Sequence, residues 1–295
     1  MMRMPWPIVL SALLALSADL TVSHRARSLQ PGEVALLTVE SVRPLRQVRV
    51  RALDRWFPAY AATPPLGWSA LVGIDLDTKP GRYVVSVTGL DADGKTVTAE
   101  YPLTVAPKQF ATRRLTVDEK FVSPPPEAVA RIQRESARVR AILDGASTDR
   151  LWNGPFALPV PGNPISEFGK RSVYNGQPRR PHAGVDFAGA VGTPVRAPNA
   201  GKVVLAADLY YSGNTIILDH GQGLYSYFGH LSALLAREGD TIAAGDVVGR
   251  VGATGLVTGP HLHWAVWIAG TRVDPLSLVE ILTPRKSPRA VRAAR

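Results

Sequence analysis

Apolar and polar residues alternate with a period of two in four segments of the first third of the chain, residues 34–39, 48–53, 83–88 and 97–105. That period belongs to a strand with one face buried, and Asp93-Gly94, between the last two segments, is a hairpin turn dipeptide. The spacing predicts a small all-β sandwich over residues 28–106, with an immunoglobulin-like topology as the working expectation. The period then changes. After Ser123-Pro124-Pro125-Pro126-Glu127, the apolar residues Val129, Ile132, Val139, Ile142 and Leu143 recur at helical spacing, with Arg131, Arg134, Glu135, Arg138 and Arg140 largely between them. Proline suits a helix's first turn, glutamate its positive end, and Gly145 can stop it. A connecting helix inside a linker over 107–150 is therefore expected, packing one stripe on a domain. From 151 to 282, short apolar runs broken by Gly201, Gly213, Gly221, Gly239 and Gly249 predict an antiparallel β domain with tight turns. The whole reads as a mainly β chain of two domains joined by a helix.

Composition narrows the chemistry. With 295 residues, 45% of them hydrophobic, the chain can build two cores. It has no cysteine, which excludes disulfides, thiolate metal sites and a thiol nucleophile. Arg3 precedes an apolar run over 6–16 with small residues at Ala15 and Ser17, the pattern of a signal peptide (1–17) cleaved before Ala18. The run is shorter than the roughly 18 residues of a spanning helix, so export to the periplasm, or to the cell exterior and wall, is expected. The net charge is +10, and an acid-free tail over 283–295 carries Arg285, Lys286, Arg289, Arg292 and Arg295. Such a tail is expected to be disordered and either to solubilise the chain or to attract anionic envelope polymers. No nucleic-acid motif accompanies the charge, so nucleic acid is not an expected partner. Asp75, Asp77, Asp91 and Asp93 lack the spacing of a calcium loop and read as turn carboxylates.

The histidines carry the sharper signal. His261 and His263 stand two residues apart at the start of an apolar run over 261–268, so on a strand they share one face. His182 and Asp186 form a second pair on an extended segment. Two histidines and one aspartate make a three-ligand set that leaves the fourth tetrahedral position open, as a catalytic zinc site requires. His230, within Tyr227-Phe228-Gly229-His230-Leu231-Ser232, is expected in a loop after a strand. His220 follows another apolar run and serves either a turn or the support of the site; His24 reads as solvated and outside it.

These blocks together resemble the LytM/lysostaphin-type zinc metallopeptidases, which cut peptide bonds in bacterial peptidoglycan. The resemblance covers roughly residues 155–280 and rests on four ordered motifs. They are the H-x-x-x-D of His182 and Asp186, the G-H-L-S around His230, the turn pair Gly239-Asp240-Thr241-Ile242 and Gly245-Asp246-Val247-Val248-Gly249, and the T-G-x-x-T-G-P-H-L-H ending at His263. The resemblance implies that His182, Asp186 and His263 hold zinc, that His230 and His261 are the catalytic histidines, and that the sheet forms an open groove for the peptide. It implies a zinc endopeptidase acting on peptidoglycan cross-links. Phe228 departs from the tyrosine many members carry there, with Tyr227 or Tyr225 as candidate stand-ins. Two other classes are kept as alternatives: a non-catalytic activator of another cell-wall hydrolase, and a wall-binding module with a vestigial metal. Activators of that kind typically lack metal ligands, all of which this chain retains.

Overall fold

The computed structural model describes residues 15–284 except 17–18, 64–65, 118, 120–121 and 146. The first sheet contains β1 (Ala15–Leu16), β2 (Leu20–Ala26), β3 (Val34–Ser41), β4 (Leu45–Ala52), β5 (Arg55–Thr63), β6 (Gly67–Gly73), β7 (Gly81–Asp91) and β8 (Thr96–Val105). All its pairings are antiparallel, in the order β1-β2-β3-β6-β5-β4-β7-β8. Alternation explains the layers: Val97, Ala99, Tyr101, Leu103 and Val105 of β8 are buried, while the residues between them face water. β5 pairs with β4 from Arg55 to Pro58 and with β6 from Ala59 onward. Pro58 has no amide hydrogen to give a ladder, and the strand changes partner there. The sheet folds over itself, and the His24 ring bonds the Tyr101 hydroxyl at 2.6 Å between β2 and β8. This strand order does not establish the immunoglobulin-like topology.

Two sequence expectations are corrected here. The first sheet does not begin at residue 28, because β2 (Leu20–Ala26) is a full member of it. His24 is not solvated but buried against Tyr101, since it falls on the inward side of β2. Of the segment expected to be a signal peptide (1–17), residues 1–14 and 17 lie outside the described residues, as does the tail from 285, whereas Ala15–Leu16 pair with β2.

Helix α1 (Pro126–Leu143) starts at the proline run, with Pro125 as its N-cap. The expected linker also contributes β9 (Thr112–Leu115), which pairs in parallel with β11 (Arg171–Tyr174); β11 in turn pairs with β12 (Gln177–Pro178). A ten-stranded sheet follows, built from β10 (Pro164–Ser166), β13 (Gly184–Ala188), β14 (Pro194–Arg196), β15 (Gly201–Leu209), β16 (Gly213–Gly221), β17 (Leu224–Leu234), β18 (Thr241–Ile242), β19 (Val247–Val251), β20 (His261–Ile268) and β21 (Thr271–Val273). Its main path runs β10-β13-β20-β17-β16-β15-β18, and α2 (Pro275–Leu282) closes the described chain.

The two sheets share one apolar core. Asp274 caps α2 by accepting from the Leu276 amide and also pairs with Arg27, which directly follows β2 of the first sheet. The Val34 amide donates to Ser277 Oγ at 2.9 Å, and Arg272 pairs with Asp75 at 2.6 Å and Asp77 at 2.7 Å. Those two carboxylates therefore tie the sheets together, while Asp91 accepts from the Asp93 and Lys95 amides within its hairpin. His220 is fully buried. Its Nδ1–H donates to the Ala200 carbonyl at 2.7 Å, so Nε2 accepts from Ser226 Oγ at 2.9 Å. It belongs to the core and not to the histidine cluster.

A Cβ on Gly73 would stand 2.1 Å from Thr271 Oγ1 and 2.9 Å from Val273 Cγ1. Gly73→Ala is expected to lower stability by about 1–3 kcal/mol through overpacking of the inter-sheet seam, measured by denaturant unfolding. A second expectation concerns pH. Burial pushes the His220 ring from about 6.5 down to about 4. Between those values the unfolded chain binds a proton the folded chain does not, so this contribution is complete above about 6.5 and lost as pH falls towards 4. Between pH 7 and 4, wild type should lose roughly 2–3 kcal/mol more stability than His220→Gln, read from paired unfolding curves.

Candidate metal centre

The centre is built on β20, which lies between β13 and β17. In the register, Asp186 of β13 stands opposite His263, and His263 stands opposite Gly229 of β17. His261 follows on the same face two residues earlier, while Leu262 and Trp264 point into the core. His182 lies just before β13. The structure thus brings together the three side chains that the sequence singled out as a ligand set. His182 Nε2 is 2.9 Å from Asp186 Oδ1 and 3.0 Å from His263 Nδ1, and His263 Nδ1 is 2.9 Å from the same carboxylate oxygen.

The hydrogen bonds behind these rings set their protonation. His182 Nδ1–H donates to the Glu167 carbonyl at 3.0 Å, which leaves Nε2 as a bare lone pair in the neutral ring. That lone pair faces an anionic oxygen and a second imidazole nitrogen. Donor atoms this close repel one another unless a proton or a metal cation lies among them. Two imidazole nitrogens and a carboxylate oxygen are a donor set that fits zinc with one coordination position left over.

His230 reaches the cluster by a bulge. Strict alternation after Tyr227 would send Phe228 and His230 to the core and Gly229 to the groove. Instead the register between β16 and β17 shifts between Phe228 and Leu231, both of which are buried. His230 takes φ +64°, a left-handed conformation uncommon for a non-glycine residue. Its ring comes to 4.8 Å from that of His261 and 6.0 Å from that of His263, centroid to centroid. His230 is thus in a strand at a bulge and not in the expected loop. Its Nδ1–H donates to the Thr254 carbonyl at 3.0 Å, and His261 Nδ1–H donates to the Gly259 carbonyl at 2.9 Å. In the neutral form of each ring Nε2 is then the acceptor; that of His261 is 3.9 Å from Asp186 Oδ1.

Electrostatics follow from this packing. Burial would raise the Asp186 pKa, but the His182 and His263 nitrogens beside it, each able to bring a proton to the carboxylate when its ring is charged, outweigh burial and hold the carboxyl well below the usual carboxylate range. Burial, with His263 and His261 nearby, takes His230 down to about 3. Burial also lowers His263, against the opposing pull of Asp186.

Two supporting features were not visible as such in the sequence. Thr254 offers its carbonyl to His230, while its hydroxyl accepts from the Asn214 amide and donates to the Leu231 carbonyl. Thr254 sits in the T-G-x-x-T-G-P-H-L-H motif, which was the available signal. Gly184 stands beside His263: a Cβ there would meet the Trp264 carbonyl at 2.4 Å and His263 Cε1 at 2.8 Å. Tyr227 lies on the groove face, its ring 6.2 Å edge-on from that of His263, but its hydroxyl donates to Ser212 Oγ at 2.6 Å. Phe228 is in the core and Tyr225 is buried among the residues under α1.

Comparison with known proteins follows this geometry. The model of Peptidase family M23 matches residues 180–275, which include all five histidine and aspartate positions. Peptidoglycan DD-endopeptidase ShyA of Vibrio cholerae is 38% identical over 96 residues, 32% of this chain and 22% of that protein. DD-carboxypeptidase/endopeptidase Mpg of Neisseria meningitidis is 41% identical over 105 residues, 36% of this chain and 24% of that protein. The matched stretch spans under a quarter of the length of these curated relatives. A crystal structure from Pseudomonas aeruginosa, described as a candidate peptidase M23, superposes with a TM-score of 0.68 at 34% identity, over 85% of this chain and 95% of that one. With the family motif on the histidine-bearing strands and a counterpart along most of its length, the chain belongs to peptidase family M23.

Proposed function

We propose that this protein is a zinc-dependent endopeptidase that hydrolyses the peptide cross-links of bacterial peptidoglycan, working outside the cytoplasmic membrane where that polymer lies. The observation that carries the reading is the convergence of His182, Asp186 and His263 on one point, with His230 and His261 presenting bare Nε2 atoms beside it. The names of the relatives, a peptidoglycan DD-endopeptidase and a DD-carboxypeptidase/endopeptidase, support the polymer as substrate. No described helix is long and apolar enough to cross a membrane.

In this reading His182 Nε2, Asp186 Oδ1 and His263 Nδ1 hold zinc. When bound, zinc supplies Lewis acidity that makes water nucleophilic near neutral pH and polarises the scissile carbonyl. The chain's own residues handle the proton. His261 Nε2, fixed by the Gly259 carbonyl, accepts it from the attacking water and returns it to the leaving amine. His230, kept neutral by burial, offers Nε2 to orient that water or, once protonated, to donate towards the developing oxyanion.

His263→Ala and Asp186→Ala should each lose most bound zinc, whereas His261→Ala should keep it while turnover falls by about 10²–10⁴-fold; metal analysis beside a peptide-release assay separates these outcomes. Purified protein incubated with peptidoglycan sacculi should release peptides whose masses identify a cut cross-link. Chelator should abolish the release and added zinc restore it. Release unaffected by chelator would overturn the metal reading, and intact cross-links throughout would overturn the substrate.

A further inference from the structure

On the same face of the sheet as the histidine cluster lies a cavity of about 480 Å³. Tyr227 and Trp267 line it from the sheet, Val139 and Leu143 from α1, and the Tyr227 ring stands edge-on to His263. The helix is a fixed wall. Arg131 bonds Asp208, Glu135 accepts the Tyr210 amide at 2.8 Å, and Arg138 pairs with Glu238 at 2.6 Å. Val139, Ile142 and Leu143 pack against Leu209, Tyr225 and Trp267 below.

The charges around the cavity are unequally engaged. Glu135 is taken by Arg131, and Arg272 by Asp75 and Asp77. Arg55 donates to the Ala269 carbonyl and crowds Gly270 together with Asp144. Arg140 and Arg180 are exposed, and among the described residues their guanidinium groups meet no hydrogen-bond acceptor or ion-pair partner. Two free planar cations over an aromatic floor match a carboxylate borne by a short apolar stem, because guanidinium binds carboxylate in a bidentate fork.

We infer that this cavity is a substrate subsite in which Arg140 and Arg180 hold a free carboxylate of the peptide while Trp267 and Tyr227 carry its apolar part. The inference rests on the peptidase reading above and adds a selectivity to it. Arg140 and the wall it stands on come from α1, outside the residues that match the family model, whereas Arg180, Tyr227 and Trp267 lie within them.

The test uses the full chain, the double variant Arg140→Gln/Arg180→Gln, and two cross-linked peptides that differ only in whether one carboxylate near the scissile bond is free or amidated. Wild type should show about tenfold lower KM for the free acid, and the double variant should bring the acid-to-amide ratio to near one. In parallel, tryptophan fluorescence titration with the same peptides should show the same ratio in Kd, with Trp267→Phe removing the signal. Equal KM and Kd for acid and amide in wild type, or a preference that survives in the double variant, would overturn the subsite. If neither peptide is cleaved, the peptidase reading fails, and the fluorescence titration still decides the subsite by itself.

Discussion

The position of β20 between β13 and β17 is the constraint on which the rest depends. A one-residue slip of this strand against either neighbour would turn His261 and His263 into the core and Trp264 out to water. The buried faces prevent the slip: Leu262, Trp264 and Val266 are fully enclosed, as are Phe187 on one side and Phe228 on the other. Packing on one side of the sheet thereby fixes the chemistry on the other. Asp186 meets His263 because Phe187 is opposite Leu262.

The first sheet contributes to the same rigidity. β20 runs on through the Ala269-Gly270 turn into β21 and α2, and these are the elements that dock on the first sheet through Thr271, Arg272, Asp274 and Ser277. The strand that bears two of the histidines is held at its far end by a seam that contains none of the chemistry. The alternating strands β3, β4, β7 and β8 were legible in the sequence because one face of each pattern is apolar. β5 and β6 were not, since Pro58 breaks the reading of one and the other is a short run buried on both faces near its end. β2 was hidden beside the segment read as a signal peptide.

That His261 and His263 share a face was legible from spacing, since i and i+2 on a strand do so whatever lies around them, whereas Asp186 joins His263 through the pairing of β13 with β20. The route of His230 was not. Its place depends on an extra residue in one strand, and nothing in Phe228-Gly229-His230-Leu231 announces that the backbone will turn left-handed at the histidine instead of at the glycine before it. The cavity beside α1 was invisible for a related reason. Helical periodicity shows that a stripe will be buried, but not that the surface receiving it adjoins a histidine cluster.

Three of the four clustered imidazoles are anchored in one way, each giving its Nδ1 hydrogen to a main-chain oxygen at Glu167, Thr254 or Gly259. A main-chain acceptor survives any exchange of its own side chain. The tautomers are therefore written into the path of three loops, robust to point mutation at the anchoring positions, and open to change only by inserting, deleting or re-routing backbone.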